Sequence, residues 1–153
     1  MFETELEMSK QFEKFIKSSF GNTYLKEQQG LFGVPDFIFY EKKNEDFTFV
    51  SFELKIKNWK RAAKQAFRHK SFSNITYVIL GSKYANPALE NIDFFKQYNI
   101  GLATYAGENY FEIHYKPEIH EPYSEYLKQK LIEKIAYRRK KTIKIRPILD
   151  YQF

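Results

Sequence analysis

Three short stretches put ionisable and amide side chains where chemistry could be done: Val34-Pro35-Asp36, Phe52-Glu53-Leu54-Lys55, and Gln65. Residues 47–56 alternate as a strand does, and Glu53 and Lys55 interrupt their apolar content. Side chains two apart on a strand share a face, so Glu53 and Lys55 point one way and Leu54 points into a core. Asp36 is the single acid in the apolar run over 34–40. The polar stretch Lys43-Asn44-Glu45-Asp46 between the two runs reads as a turn. An antiparallel hairpin folded about Asn44 and Glu45 sets Asp36 opposite Glu53, because the turn fixes the register. Two carboxylates and an ammonium then share one sheet face. Carboxylates that close repel, and their pKa values rise unless a cation sits between them. Mg²⁺ is the usual cation for an oxygen-only site of this size. Lys55, beside the acids, could stabilise phosphate charge or position an attacking water.

The elements that must hold these residues are legible around them. Residues 3–20 form an amphipathic helix with Met8, Phe12, Phe15, Ile16 and Phe20 on its stripe. Gly21-Asn22 ends it. Glu5 shares a helical meridian with Phe12 and Ile16. A polar strand is expected over 23–29, and Gly30 to Gly33 turns the chain into the Asp36 strand. Residues 58–69 read as a helix with Trp59, Ala62, Ala63, Ala66 and Phe67 on its apolar face. Arg61, Gln65, Arg68 and His69 lie on the other, with His69 at the surface. Buried strands are expected over 75–80 and 100–105. Between them a helix over 87–98 turns Leu89, Ile92, Phe94 and Phe95 inward. Residues 110–115 alternate as an edge strand, and Pro117 and Pro122 bracket a loop. A long basic helix over 123–141 and a tail with Pro147 complete the chain. This order predicts an α/β fold whose central mixed sheet combines an antiparallel hairpin with strands entered by helical crossovers, flanked by helices on both faces. No internal repeat or clear second domain is visible.

This pattern resembles the PD-(D/E)xK nuclease superfamily, the fold of many restriction enzymes, Holliday-junction resolvases and RecB-type nucleases. Pro35-Asp36 matches the first half of its motif and Glu53-Leu54-Lys55 the second. The succession of elements over 3–105 fits as well. The resemblance implies a restriction-endonuclease-like core over 1–120, with an extra basic C-terminal helix and tail over 121–153 in the same single domain. It implies a Mg²⁺-dependent deoxyribonuclease, with Mn²⁺ as a substitute ion. Asp36, Glu53 and the main-chain carbonyl of Leu54 would bind the metal, and Lys55 would assist the water. RecB-type members carry a Gln, and a Tyr four residues later, on the helix after the second motif. Here these positions are Gln65 and His69, so Gln65 carries over as a site residue and His69 departs from the pattern. Several branches also place a carboxylate on the first helix beside the metal site, a role that would fall to Glu5. A small member with one active site per chain often needs a homodimer to cut two strands.

Composition bounds these readings. The 153 residues are 43% hydrophobic, which suits one globular domain with a sizeable core. There are no cysteines, so disulfides and thiolate metal sites are excluded. No apolar run is long enough to span a bilayer, and the acidic start lacks a signal-peptide layout. A cytoplasmic protein with no membrane partner is therefore expected. The net charge of +6 suits a polyanion such as DNA. Lys57, Lys60, Arg61, Lys64, Arg68 and Lys70 form one basic cluster directly after the motif strand. A second runs from Lys128 to Arg146 and includes Arg138, Arg139, Lys140 and Lys141. Either cluster alone reads as a solvated helix face, whereas the two together point to phosphate-backbone contact.

Other chemistries lack support. His69, His114 and His120 have no zinc spacing. Gly30 and Gly33 fit no phosphate loop, and no GxSxG elbow exists. Two function classes remain: a metal-dependent DNA nuclease, or a noncatalytic nucleic-acid-binding protein on the same fold. An unrelated cytosolic α/β binding domain is a third. The complete set of acid, acid and lysine favours the first, because a binding module has no use for unpaired carboxylates facing phosphate.

Overall fold

The computed structural model describes residues 2–137 and 142–150. Helix α1 (Glu5–Phe20) begins where Thr4, in an extended conformation, accepts the N–H of Glu7 on its hydroxyl. Its stripe of Met8, Phe12, Phe15, Ile16 and Phe20 is buried throughout, as the spacing predicts. Gly21 ends the helix at φ +91, and a Cβ there would collide with the Ile143 carbonyl. Glycine therefore lets the tail return as a bridge between Gly21 and Lys144.

Strands β1 (Tyr24–Lys26), β2 (Phe37–Lys43), β3 (Asp46–Lys55), β4 (Ile75–Gly81), β5 (Gly101–Tyr105) and β6 (Phe111–Tyr115) form one six-stranded sheet in chain order. The first three run antiparallel, β3 to β5 run parallel, and β6 returns antiparallel at the edge. Parallel neighbours require crossovers. They are supplied by α2 (Trp59–His69), and by α3 (Asn86–Glu90) with α4 (Ile92–Tyr98). Helix α5 (Glu125–Ala136) follows the sheet and is capped by Ser124.

The β2–β3 hairpin sets the register of the motif strands. Asn44 and Glu45 take φ of 52 and 69, the left-handed pair of a two-residue turn whose twist matches the strands. Lys43 then faces Asp46 and Phe37 faces Phe52. Asp36 continues the ladder by donating its N–H to the Phe52 carbonyl at 3.1 Å. Period-two alternation divides the sheet into two faces. Phe37, Phe39, Val50, Phe52 and Leu54 pack under α1. On the opposite face, Val78, Leu80 and Leu102 pack under α2 and α4, while Ile38 and Phe49 meet Leu131 of α5. Helices thus flank both faces of a mixed sheet, which is the coarse architecture the element order predicts.

Four expectations change in detail. The first strand shrinks from 23–29 to three residues because Glu27 turns left-handed at φ 50. The helix over 87–98 breaks at Asn91, where ψ is 29. Past that break Phe95 turns inward and Phe94 stays exposed, against Tyr98 at 4.7 Å. His69 is fully buried rather than on the surface, and Phe67 is exposed instead. The basic helix ends at Ala136, not 141, and Arg138, Arg139, Lys140 and Lys141 lie outside the described residues. Among the described residues no helix is long and apolar enough to cross a membrane.

Phe12 is the hub of the α1 interface. It is fully buried, and its ring centroid lies between 5.3 and 5.9 Å from those of Phe15, Phe37, Phe52, Tyr105 and Phe111. Phe12→Ala should cost about 3–5 kcal/mol. Urea unfolding should show this as a lower midpoint with an unchanged slope; an unshifted midpoint contradicts the packing.

Candidate functional site

Asp36 and Glu53 lie on neighbouring antiparallel strands, on the sheet face turned toward α2. Pro35 and Val34 precede β2, so Asp36 sits at its mouth, where its carbonyl accepts the Glu27 N–H at 3.0 Å. Its carboxylate Oδ2 accepts the Leu54 N–H at 2.8 Å. That bond ties the first motif residue to the backbone between the other two. Leu54 turns its side chain into the α1 core. Glu53 is 5% exposed, and its Oε1 has no hydrogen-bond partner among the described residues.

The electrostatics follow from this burial. Loss of solvent, followed by the Asp36 charge, pushes the Glu53 carboxyl up to about 8, against the pull of Lys55. Burial lifts Asp36 to about 6, although the Leu54 N–H and Lys55 draw it down. Lys55 is largely covered, and its Nζ lies 3.4 Å from Glu5 Oε2 on the first turn of α1. Glu5 therefore reaches the site through Lys55. The charge of Glu5 also contributes to raising both carboxyls.

Helix α2 approaches from the other side. Asn58 caps it in a left-handed conformation, accepting the Arg61 N–H, so the helix starts four residues after Lys55. Lys57, Lys60, Arg61, Lys64 and Arg68 are all exposed. Lys60, Arg61, Lys64 and Arg68, at spacings of three and four on the helix, form a cationic ridge about 12 Å long, and Lys57 precedes it. Arg61 is near enough to lower the Glu53 pKa. Half-buried Gln65 lines a cleft with Lys60, Arg61, Lys64 and Arg68, and its Oε1 is another buried atom without a partner. One turn later, His69 packs against the loop before Asp36: a Cβ on Gly33 would lie 3.1 Å from its Nε2. Burial, then the Arg68 charge, pushes the His69 ring down to about 3, which keeps it neutral.

The structure thus brings together Asp36, Glu53, Leu54, Lys55 and Glu5, with Arg61 close enough to act on Glu53, whereas Gln65 opens on a cleft formed by α2 residues alone. It does not gather a ready-made metal cage: no group of three or more His, Asp or Glu side chains is placed to hold an ion among the described residues. Two residues of the basic clusters are structural instead. Lys70 is buried and donates to the Tyr98 carbonyl at 2.5 Å. Lys128 is buried beside Asp46 at 3.3 Å and Glu121 at 3.9 Å. Lys83 and Tyr84 were not expected at the site, yet with Lys55, Lys57 and Arg61 they line an open cleft of about 840 Å³. A basic-aromatic pair directly after a parallel strand was the available signal, since ligands of open α/β sheets gather at the carboxyl ends of strands.

The raised carboxyls set a pH dependence. Both bind protons more readily in the folded chain than in the unfolded one. Their stabilising contribution is therefore complete below the ordinary carboxylate range and is lost as pH rises through about 6 for Asp36 and about 8 for Glu53. In EDTA, the thermal midpoint should fall between these values, and Glu53→Gln should remove most of the upper part of that fall. Parallel pH profiles for parent and variant would contradict the assignment.

Comparison with protein-family models, curated proteins and solved structures finds no match for this chain.

Proposed function

We propose that the chain is a metal-dependent deoxyribonuclease of the PD-(D/E)xK type, on a restriction-endonuclease-like core, and that it hydrolyses DNA phosphodiester bonds. The observation that carries this reading is the half-buried Asp36 beside the buried Glu53, with Glu53 Oε1 unpartnered. A structural ion pair would leave neither carboxyl raised nor that oxygen orphaned. The donor set is oxygen only, which suits a hard divalent cation. Mg²⁺ keeps most of its waters and needs only one or two protein carboxylates beside substrate phosphate, so a two-carboxylate site fits it. Asp36, Glu53 and the Leu54 carbonyl would hold Mg²⁺, with Mn²⁺ as a substitute. Bound there, the ion would supply Lewis acidity at the phosphate and lower the pKa of the attacking water.

The remaining work falls to the chain itself. Lys55 exchanges the Glu5 carboxylate for a phosphate oxygen and stabilises the charge that develops there. Gln65 Oε1 is an acceptor free to orient a water. The α2 ridge positions the DNA backbone without reading its sequence. This reading expects a cytoplasmic protein, and a homodimer where both strands of a duplex are cut.

Labelled DNA incubated with Mg²⁺, Mn²⁺ or EDTA tests it. Cleavage should require the cation, and Glu53→Gln or Asp36→Asn should lower it by at least about 100-fold, the scale of losing one pre-organised electrostatic group. DNA binding should persist in both variants, because a negative charge facing phosphate is removed. Binding without cleavage under every condition would instead identify a noncatalytic DNA-binding protein.

The ridge makes a separate prediction. Replacing Lys60, Arg61, Lys64 and Arg68 by alanine should flatten the dependence of log affinity on log salt by up to about 0.9 for each lost phosphate contact. An unchanged slope would place the backbone elsewhere.

A further inference from the structure

The cleft beside Lys55 contains more than charge. Its wall includes Tyr84, from the short helical turn Ser82–Tyr84 that directly follows β4. Tyr84 is 40% exposed and shares the cleft with Lys55, Lys57, Arg61 and Lys83, opposed by Glu3 and Glu5. Lys57 Nζ is 5.8 Å and Lys83 Nζ 5.6 Å from its ring centroid. Both lysines are exposed and on flexible stems, so each can leave the ring for a phosphate. At the other end of α2 the arrangement repeats. Phe32 is 53% exposed, and the Arg68 guanidinium lies 5.5 Å from its ring centroid. The cationic ridge thus runs between two exposed aromatic rings, with the carboxylate pair alongside.

A duplex keeps its bases stacked inside and offers a protein phosphates and groove edges. Exposed rings bracketing a phosphate track gain nothing from it. Unpaired bases present π faces, and aromatic rings flanked by Lys or Arg are the usual platforms for them. Cation–π contact also holds such a ring open and charged-rimmed before the strand arrives.

We propose that Tyr84 is a base-stacking platform, and that the strand this site takes is single-stranded DNA, its phosphates on Lys55, Lys57, Arg61 and Lys83 and an unpaired base on Tyr84. The proposal rests on the nuclease reading for its choice of DNA, but stacking itself requires neither metal nor cleavage. It is a substrate-class assignment: unpaired DNA, at an end, a flap or a gap, in preference to a continuous duplex.

The test is equilibrium binding by fluorescence anisotropy with the full chain in EDTA. The probes are a labelled single strand, the same strand with abasic sites, and the matching duplex. The parent should bind the single strand more tightly than the abasic strand and the duplex. Tyr84→Ala should weaken single-strand binding by roughly 5- to 100-fold, the range of base–aromatic stacking. It should change abasic and duplex binding less than about twofold and leave the salt slope intact, because no phosphate contact is lost. Tyr84→Phe, which keeps the ring, should restore parental affinity. An unchanged thermal midpoint confirms that the alanine variant is folded. Equal binding of abasic and intact strands by the parent overturns the proposal. So does a uniform loss on all three probes, or a phenylalanine variant as weak as the alanine one. Failure of the nuclease reading would look different: no cleavage of any probe with Mg²⁺ or Mn²⁺, while the stacking pattern in EDTA stands.

Discussion

The burial of Glu53 beside a half-buried Asp36 is the constraint on which the candidate site depends. Folding forces Asp36 and Glu53 onto adjacent strands, strips most of their water, and leaves Glu53 Oε1 without a donor. Desolvated carboxylates are costly, and three nearby groups moderate them while Glu5 works the other way. The Leu54 N–H binds Asp36, Lys55 stands on the same face, and Arg61 leans in from α2. Even so, both carboxyls remain raised. A fold selected only for stability would have put apolar side chains there, because replacing buried charge by packed hydrophobic groups is often neutral or better. The desolvation that remains uncompensated, with the Asp36 charge beside Glu53, is an energetic argument for a cation that completes the site.

The scaffold that imposes this arrangement is stiff. The two left-handed turn residues Asn44 and Glu45 lock the hairpin register, and a slip of one residue would send Glu53 into the Phe12 core and Leu54 out of it. β4 lies parallel beside β3, and its carboxyl end delivers Lys83 and Tyr84 next to Lys55. The α2 crossover that this parallel pairing demands carries the cationic ridge past the same point. The carboxylate pair, the cationic ridge and the aromatic wall therefore share one end of one sheet for topological reasons.

Much of this was legible in the residues alone. Strand alternation and turn composition determine which face Glu53 and Lys55 share, and the α1 stripe follows from its spacing. What stayed hidden depends on tertiary context. His69 reads as polar beside Arg68 and Lys70, but it is buried because Gly33 of a distant loop closes over it. Lys128 reads as part of a DNA-binding stretch, but Asp46 at the start of β3 claims it. The break at Asn91 follows no proline or glycine, so helical periodicity runs through it unmarked. Tyr84 lies on a three-residue turn too short for any periodicity, so its exposure is visible only once β4 is placed beside β3. The restriction-endonuclease-like assignment rests on the motif and on element order.

The central claim is that the Asp36–Glu53 pair binds a divalent cation. Calorimetric titration of Mg²⁺ into the full chain near pH 7, repeated in buffers of different ionisation enthalpy, tests it most directly. A Glu53 carboxyl raised to about 8 is largely protonated there, so binding must expel its proton. The account predicts saturable binding whose heat varies with the buffer, and loss of both features in Glu53→Gln. Absence of saturable binding, or buffer-independent heat equal in parent and variant, would contradict it.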